Sequence, residues 1–142
     1  MKRAIFKNYI IILLLALILS GSIFCAAIGN ILLDKTRENL LNIIKIIDQS
    51  LDYKKDLKKQ LNKLSDILED AESRLTIIDT EGNVLVDSEI SDLLSMENHL
   101  DREEIQKAIK DGIGYAKRKS QSLNISMLYV SYKSEQGNYI LR

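Results

Sequence analysis

The hydrophobic pattern of the chain changes twice. From Asn8 to Leu33 no residue is charged, a run of 26 positions dominated by Ile10–Leu19 and Ile23–Ile28. At about 1.5 Å of rise per residue, roughly 20 such residues cross a hydrocarbon core about 30 Å thick. The run therefore predicts a membrane-spanning helix over 8–33. Beyond it, Leu33, Leu40, Ile44, Ile47 and Leu51 recur at helical spacing, and Ile43 and Ile46 widen the stripe. A stripe of this kind packs either on the chain's own core or on a second copy. Because it follows a membrane span directly, we read Leu40, Ile44, Ile47 and Leu51 as a homodimer seam. The phase then slips. A heptad continued from Leu51 needs apolar residues where Lys54 and Lys58 stand, and the next apolar series is Leu57, Leu61, Leu64, Leu68 and Ala71. The pattern predicts two helices, or one bent helix, with a break near 51–55.

After Ser73 the period becomes that of strands. Arg74-Leu75-Thr76-Ile77-Ile78-Asp79 is rich in β-formers, Thr80-Glu81-Gly82-Asn83 reads as a turn, and Val84-Leu85-Val86-Asp87 reads as the return strand. Residues 74–87 are thus a predicted hairpin. A polar stretch from Ser88 to Leu100 leads to a short helix over 102–110, with Asp101 as N-cap, Glu103 and Glu104 in the first turn, and Gly112 as the stop. Three further strands are predicted at Gly114–Lys119, Ile125–Lys133 and Tyr139–Arg142. In the second of these Ile125, Met127, Tyr129/Val130 and Tyr132 are read as one buried face. Helices followed by strands and one inserted helix predict an α+β fold with an antiparallel sheet of about five strands.

Composition narrows the possible functions. The 142 residues suffice for one ordinary domain beyond the leader. Twenty basic residues balance twenty acidic ones, which argues against a nucleic-acid partner. The balance hides a split. Lys2, Arg3 and Lys7 give residues 1–33 a charge of +3, leaving −3 for residues 34–142. By the positive-inside rule the N-terminus stays in the cytoplasm and the acidic part lies outside, in contact with membrane lipid only through its anchor. One cysteine, Cys25, and one histidine, His99, rule out a disulfide framework and a multi-histidine metal centre. No cofactor is expected.

The leader has a second reading as a cleaved signal peptide, with Cys25-Ala26-Ala27 as the small-residue site. The apolar run resumes past that point at Ile28 and Ile31-Leu32-Leu33, which favours an uncleaved anchor. A lipoprotein reading of Cys25 is disfavoured by Phe24, where a lipobox needs a small residue. The layout expected is a cytoplasmic tail at 1–7, a membrane helix at 8–33, a helical stalk at 34–72 and an extracytoplasmic α+β domain at 73–142.

Certain residues carry a resemblance. Leu75-Thr76-Ile77-Ile78-Asp79-x-x-Gly82-x-Val84-Leu85-x-Asp87-Ser88 resembles the opening of a PAS-like extracytoplasmic sensor domain. More specific are Met96-Glu97-Asn98-His99-Leu100-Asp101-Arg102-Glu103-Glu104-Ile105 and Arg118-x-Ser120-x-Ser122-Leu123-Asn124-x-x-Met127-Leu128-Tyr129-Val130. Together these are similar to the N-terminal sensor region of phosphate-regulon (PhoR-type) sensor histidine kinases. Glu103 and Asn124 depart from the proline and glycine often found there. The resemblance implies a Cache/PDC-type PAS-like fold outside the cell. In the family a second membrane helix, a HAMP linker, a phosphoacceptor helix and an ATP-binding domain follow, and signalling reaches a response regulator through that kinase. In this chain Leu100 follows His99, so there is no His-Glu phosphoacceptor box, and there is no Gly-rich ATP lid. The expectation is a sensor-input fragment without catalytic residues of its own. The ectodomain of a chemoreceptor or diguanylate cyclase, and a stand-alone membrane regulator, are the other classes the sequence admits.

The candidate ligand or signalling residues are Asp87, Ser88, His99, Arg102, Glu104 and Arg118. His99 is either a pH-responsive group or a brace for the loop entering the short helix. Arg102 and Glu104 are placed to pair with Asp87 or Glu97. Arg118 lies between Lys117 and Lys119 on a basic strand, suited to an anionic ligand or to a lysine-protected sheet edge. Asp87, Glu89 and Asp92 form an acidic group too sparse to predict a metal site.

Overall fold

A single helix, α1, occupies Lys2–Ser50 in the computed structural model, which describes residues 2–93, 96–119 and 126–142, with side chains from residue 6 onward. The chain divides into two compact units, Met1–Thr36 and Arg37–Arg142. In the first unit the large apolar side chains, among them Ile12, Leu15, Leu19, Ile23 and Phe24, are exposed. A helix of this length and composition is able to cross a membrane. Its few hydroxyls suit lipid. Ser20 and Ser22 donate to the carbonyls of Leu17 and Leu19, at 3.1 and 2.8 Å, so neither requires water.

The second unit begins on the last turns of α1. These end at Ser50, and the polar segment 52–56 turns the chain, as the phase slip predicts. Asp56 caps the next helix by accepting from the Lys59 amide at 3.1 Å. The second apolar series forms two short helices rather than one, α2 (Leu57–Asn62) and α3 (Ser65–Asp70). Leu61 and Leu68 are buried, whereas Ala71 is exposed beyond the end of α3.

Five strands follow: β1 (Thr76–Asp79), β2 (Val84–Asp87), β3 (Ile113–Lys119), β4 (Ser126–Lys133) and β5 (Tyr139–Leu141), with α4 (Glu103–Asp111) between β2 and β3. They form one antiparallel sheet in the order β2-β1-β5-β4-β3. The α+β class is as expected. The sheet is covered on both faces. One face carries Leu75, Ile77, Val86, Val130, Tyr132 and Leu141, packed with Ile44, Ile47 and Leu51 of the α1 end and with Leu61 and Leu68. The other carries Ile78 and Ile140, packed with Ile105 and Ala108 of α4. Gly114 makes the close approach of α4 possible, because a Cβ there would lie 1.8 Å from the Glu104 carbonyl oxygen.

Three expectations need correction. Ile44, Ile47 and Leu51 are not an exposed dimer seam; they are buried core, with Leu40 packed at its edge. The sheet offers these side chains an apolar partner within the chain, and helical spacing alone does not distinguish the two uses. Met127 and Tyr129 do not share a face with Val130 and Tyr132, since both faces of β4 are covered and the side chains alternate between them. Asp101 does not cap α4. Arg102 holds that position without a side-chain capping bond, and Gly112 ends the helix at φ 83°. Positions 120–125, including Ser120, Ser122, Leu123, Asn124 and the expected strand start at Ile125, lie outside the described residues.

Candidate functional site

The sheet face beneath α4 holds most of the predicted site residues. Alternation along β1 places Arg74 and Thr76 on the same side as Ile78, and the register Thr76↔Asp87 brings Asp87 beside them. Arg74 Nε and Nη2 both donate to the Asp87 carboxylate, at 2.9 to 3.0 Å, and the Thr76 hydroxyl donates to it at 2.8 Å. The amides of Glu89 and Ile90 add two more bonds at 2.9 Å. Burial raises the Asp87 pKa, but Arg74 and these donors outweigh it and hold the carboxyl below its ordinary value. Ser88 has a local structural role. Its hydroxyl accepts from the Leu75 amide at 3.0 Å and its own amide donates to the Leu75 carbonyl, closing the open end of the hairpin.

Residues 96–102 are anchored on the hairpin turn. The His99 amide donates to the Gly82 carbonyl at 2.8 Å, and the Asn98 side-chain amide donates to the Glu81 carbonyl at 2.9 Å. This anchoring brings His99 to the sheet's edge and Arg102 to the start of α4. Two residues on, Glu104 points into the interior with no exposure at all. Arg118 from β3 donates to its Oε1 at 3.0 Å, and Arg142, following β5, lies 3.0 Å from the same oxygen through Nε. Both guanidiniums lie 4.4 Å from the centre of the Tyr129 ring, a cation–π arrangement on β4. Arg142 Nη1 approaches His99 Nδ1 at 3.4 Å. A guanidinium does not give up its proton, so Nδ1 is the accepting nitrogen and Nε2 carries the hydrogen.

The electrostatics of this cluster are uneven. Burial first, then the positive field of Arg142, Arg102, Arg118 and Arg74, lowers the His99 pKa from 6.5 to about 4. Burial also lowers Arg142, with Glu104 opposing and Arg118 adding to the fall. The carboxylates fall into two kinds. Asp87 and Glu104 have fully buried side chains, whereas Glu97 meets Arg102 at 3.5 Å and Glu89 meets Arg74 at 3.9 Å while 83% and 62% exposed. Among the described residues, Arg118 Nε, Glu104 Oε2 and the Ser131 hydroxyl are buried without hydrogen-bond partners, and Arg142 Nε meets Glu104 Oε1 as an ion pair without hydrogen-bond geometry.

The structure therefore unites His99, Arg102, Glu104 and Arg118, adds Asp87 through Arg74, and leaves Ser88 to the backbone. Glu104 pairs with Arg118 and Arg142, and Arg102 pairs with Glu97; neither pairs with Asp87. Arg74 and Arg142 escape sequence reasoning. Arg74 was legible in principle, since hairpin register sets it beside Asp87, but Arg142 joins only because β5 inserts between β1 and β4. Lys117 and Lys119 are exposed on β3, an edge strand, as the protected-edge reading expects. Comparison with protein-family models and with curated proteins finds no match for this chain.

Proposed function

We propose that the chain is the membrane-anchored sensor-input part of a two-component sensor histidine kinase. On this reading Arg37–Arg142 is a PAS-like extracytoplasmic domain that biases a cytoplasmic kinase. One observation carries the proposal: the helix that contains the apolar span also contributes Ile44 and Ile47 to the core of the sheet unit. A change in the sheet thereby has a covalent route toward the membrane, and two-state repacking of such a core is how small shifts are transmitted. The resemblance around 96–105 and 118–130 supplies the kinase class. The polar cluster beneath α4 supplies a place for the stimulus to act. If the parent is a homodimer, its interface uses residues other than Ile44, Ile47 and Leu51.

Two measurements test this. Alkaline phosphatase joined after Arg142 is expected to be active outside the cell, while a cytoplasmic reporter at the same position stays silent. The opposite pattern overturns the orientation. The reading frame continuing past codon 142 is expected to encode a second apolar span and a His-Glu phosphoacceptor box. A methylation coiled coil or a GGDEF stretch there would establish the chemoreceptor or cyclase class instead.

A further inference from the structure

We propose that the segment formed by α2 and α3 is a docking face for a second copy of this chain, the two segments lying antiparallel across a two-fold axis beside Ser65. The pairing rests on charge and geometry and does not depend on the sensor reading. The two short helices run on almost without a break. The Leu64 amide donates to the Leu61 carbonyl at 2.9 Å, and the Leu68 amide donates to the Leu64 carbonyl at 3.0 Å. Leu57, Leu61, Leu64 and Leu68 pack on the core along this segment. The outward side is left with sorted charge. Lys58, Lys59 and Lys63 stand in its first half and Asp66, Glu69 and Asp70 in its second, all exposed. Ile67 lies among them, 56% exposed.

This order works against a lone helix. Apart from the Asp56 cap, α2 has no acid in its first turn and α3 no base in its last, the reverse of what the helix dipole favours. Lys59 and Lys63 are four residues apart, as are Asp66 and Asp70, so each pair sets like charges side by side on one helical face. Asp56 offers Lys59 a loose pair at 3.8 Å. Among the described residues, no ion pair engages Lys58, Lys63, Asp66, Glu69 or Asp70. A second segment laid antiparallel removes both faults. Lys59 then stands opposite Asp70 and Lys63 opposite Asp66, and the helix dipoles oppose. The charges are palindromic about the link between Leu64 and Ser65, so one two-fold operation satisfies both halves, as an isologous interface requires. Ile67 adds apolar surface close to the axis. A polyanion or an anionic lipid surface suits only the lysine half and is repelled by the acids, whereas a second copy suits both.

The test uses the full chain in phosphatidylcholine vesicles, with Cys25→Ser as the background and Ser65→Cys as the reporter beside the axis. Oxidative cross-linking between copies is expected at position 65, and about fivefold less with the reporter moved to Lys110→Cys, on α4 across the sheet. Lys59→Glu with Lys63→Glu is expected to lower the cross-link about fivefold, as is Asp66→Lys with Asp70→Lys, because each variant then faces like charge. Mixing the two variants is expected to restore it, since every facing pair is again of opposite sign. All four side chains are exposed, and the buried Leu61 and Leu68 are untouched, so the variants keep the fold. The Ser65→Cys chain also reports alone, its cross-link expected to fall about threefold as salt rises from about 0.05 to about 0.5 M. Equal cross-linking at 65 and 110, insensitivity to salt, no effect of either double variant, or a mixture no better than its components overturns the pairing. Loss of the cross-link on adding phosphatidylglycerol gives the lysines to the lipid surface and overturns it as well.

Discussion

The ring of Tyr53 lies flat on the ring of Tyr139, with centroids 4.2 Å apart and planes 8° apart. Tyr53 sits in the turn after α1 and Tyr139 opens β5, so the stack joins the end of the long helix to the central strand. Polar contacts reinforce it. The Tyr53 hydroxyl donates to the buried Asp48 carboxylate, and the Gln136 side chain donates to the Asp48 carbonyl. Burial, then the facing Asp48, holds the Tyr53 phenol well above its ordinary pKa, so it remains a donor at physiological pH. Two residues along β5 from Tyr139, Leu141 is buried in the same core, and Arg142 follows at the arginine cluster.

Tyr53→Phe keeps the stack but leaves a buried carboxylate short of a donor. The expected loss is about 1.5–3 kcal/mol, the usual worth of a hydrogen bond to a charged group. Chemical denaturation followed by tyrosine fluorescence measures it, and Tyr53→Ala is expected to cost more because the stack is also lost.

Glu104→Ala leaves Arg118 and Arg142 without their shared carboxylate. Removing one partner of a buried ion pair typically costs about 3–5 kcal/mol, and a loss in that range is expected here. A loss below about 1 kcal/mol would mean that the two guanidiniums find other partners. The same denaturation experiment decides between them.

Acid stability separates His99 from Asp87. Folded His99 takes its proton near 4 and the unfolded residue near 6.5, so the unfolded state binds more protons between those values. Stability is level above pH 6.5, falls as the pH drops toward 4 and levels again below it, by on the order of 3 kcal/mol from this group. His99→Gln is expected to flatten that interval. Asp87 acts lower: its depressed pKa contributes stability above its unfolded value of 3.8, which is lost on further acidification. Asp87→Asn is therefore expected to remove the lower phase and leave the upper one. Melting temperature across a pH series tests both variants.

Gly114→Ala places a methyl group against the Glu104 backbone, which has to move to admit it. Overpacking of this sort costs about 1–3 kcal/mol, and with backbone as the obstacle the upper end is expected. Hydrogen exchange in α4 is expected to accelerate before exchange in β1, because α4 is the element displaced.

Much of this fold is legible in the sequence. The break after Ser50, the 74–87 hairpin, the short helix ending at Gly112 and the strands after it all follow from local period and turn chemistry. The destination of the Ile44–Ile47–Leu51 stripe does not, because a sheet face and a second helix satisfy the same spacing. The site was half legible. His99, Arg102 and Glu104 lie close together in sequence, and Arg118 stands out on its strand, but nothing local indicates that Glu104 faces inward or that Arg142 reaches it. Those contacts depend on sheet order, which alternation along single strands does not specify. Ile47→Asp now carries a different expectation from that of an interface residue: the sheet unit itself unfolds, and circular dichroism registers the loss of strand signal.

The position of β5 has a consequence for how the domain is made. The β1–β2 and β3–β4 ribbons emerge from the ribosome first, each with an unfilled edge, and only Tyr139–Leu141 bridges them. Until those three residues arrive, Arg142, which follows them, has no route to Glu104, whose other partner Arg118 lies on the neighbouring β3. Such late closure by a distant segment is slow and leaves adhesive edges bare in the interval. A polypeptide halted before residue 139 thus lacks the strand that pairs with both β1 and β4, and the inner edges of both stay unfilled.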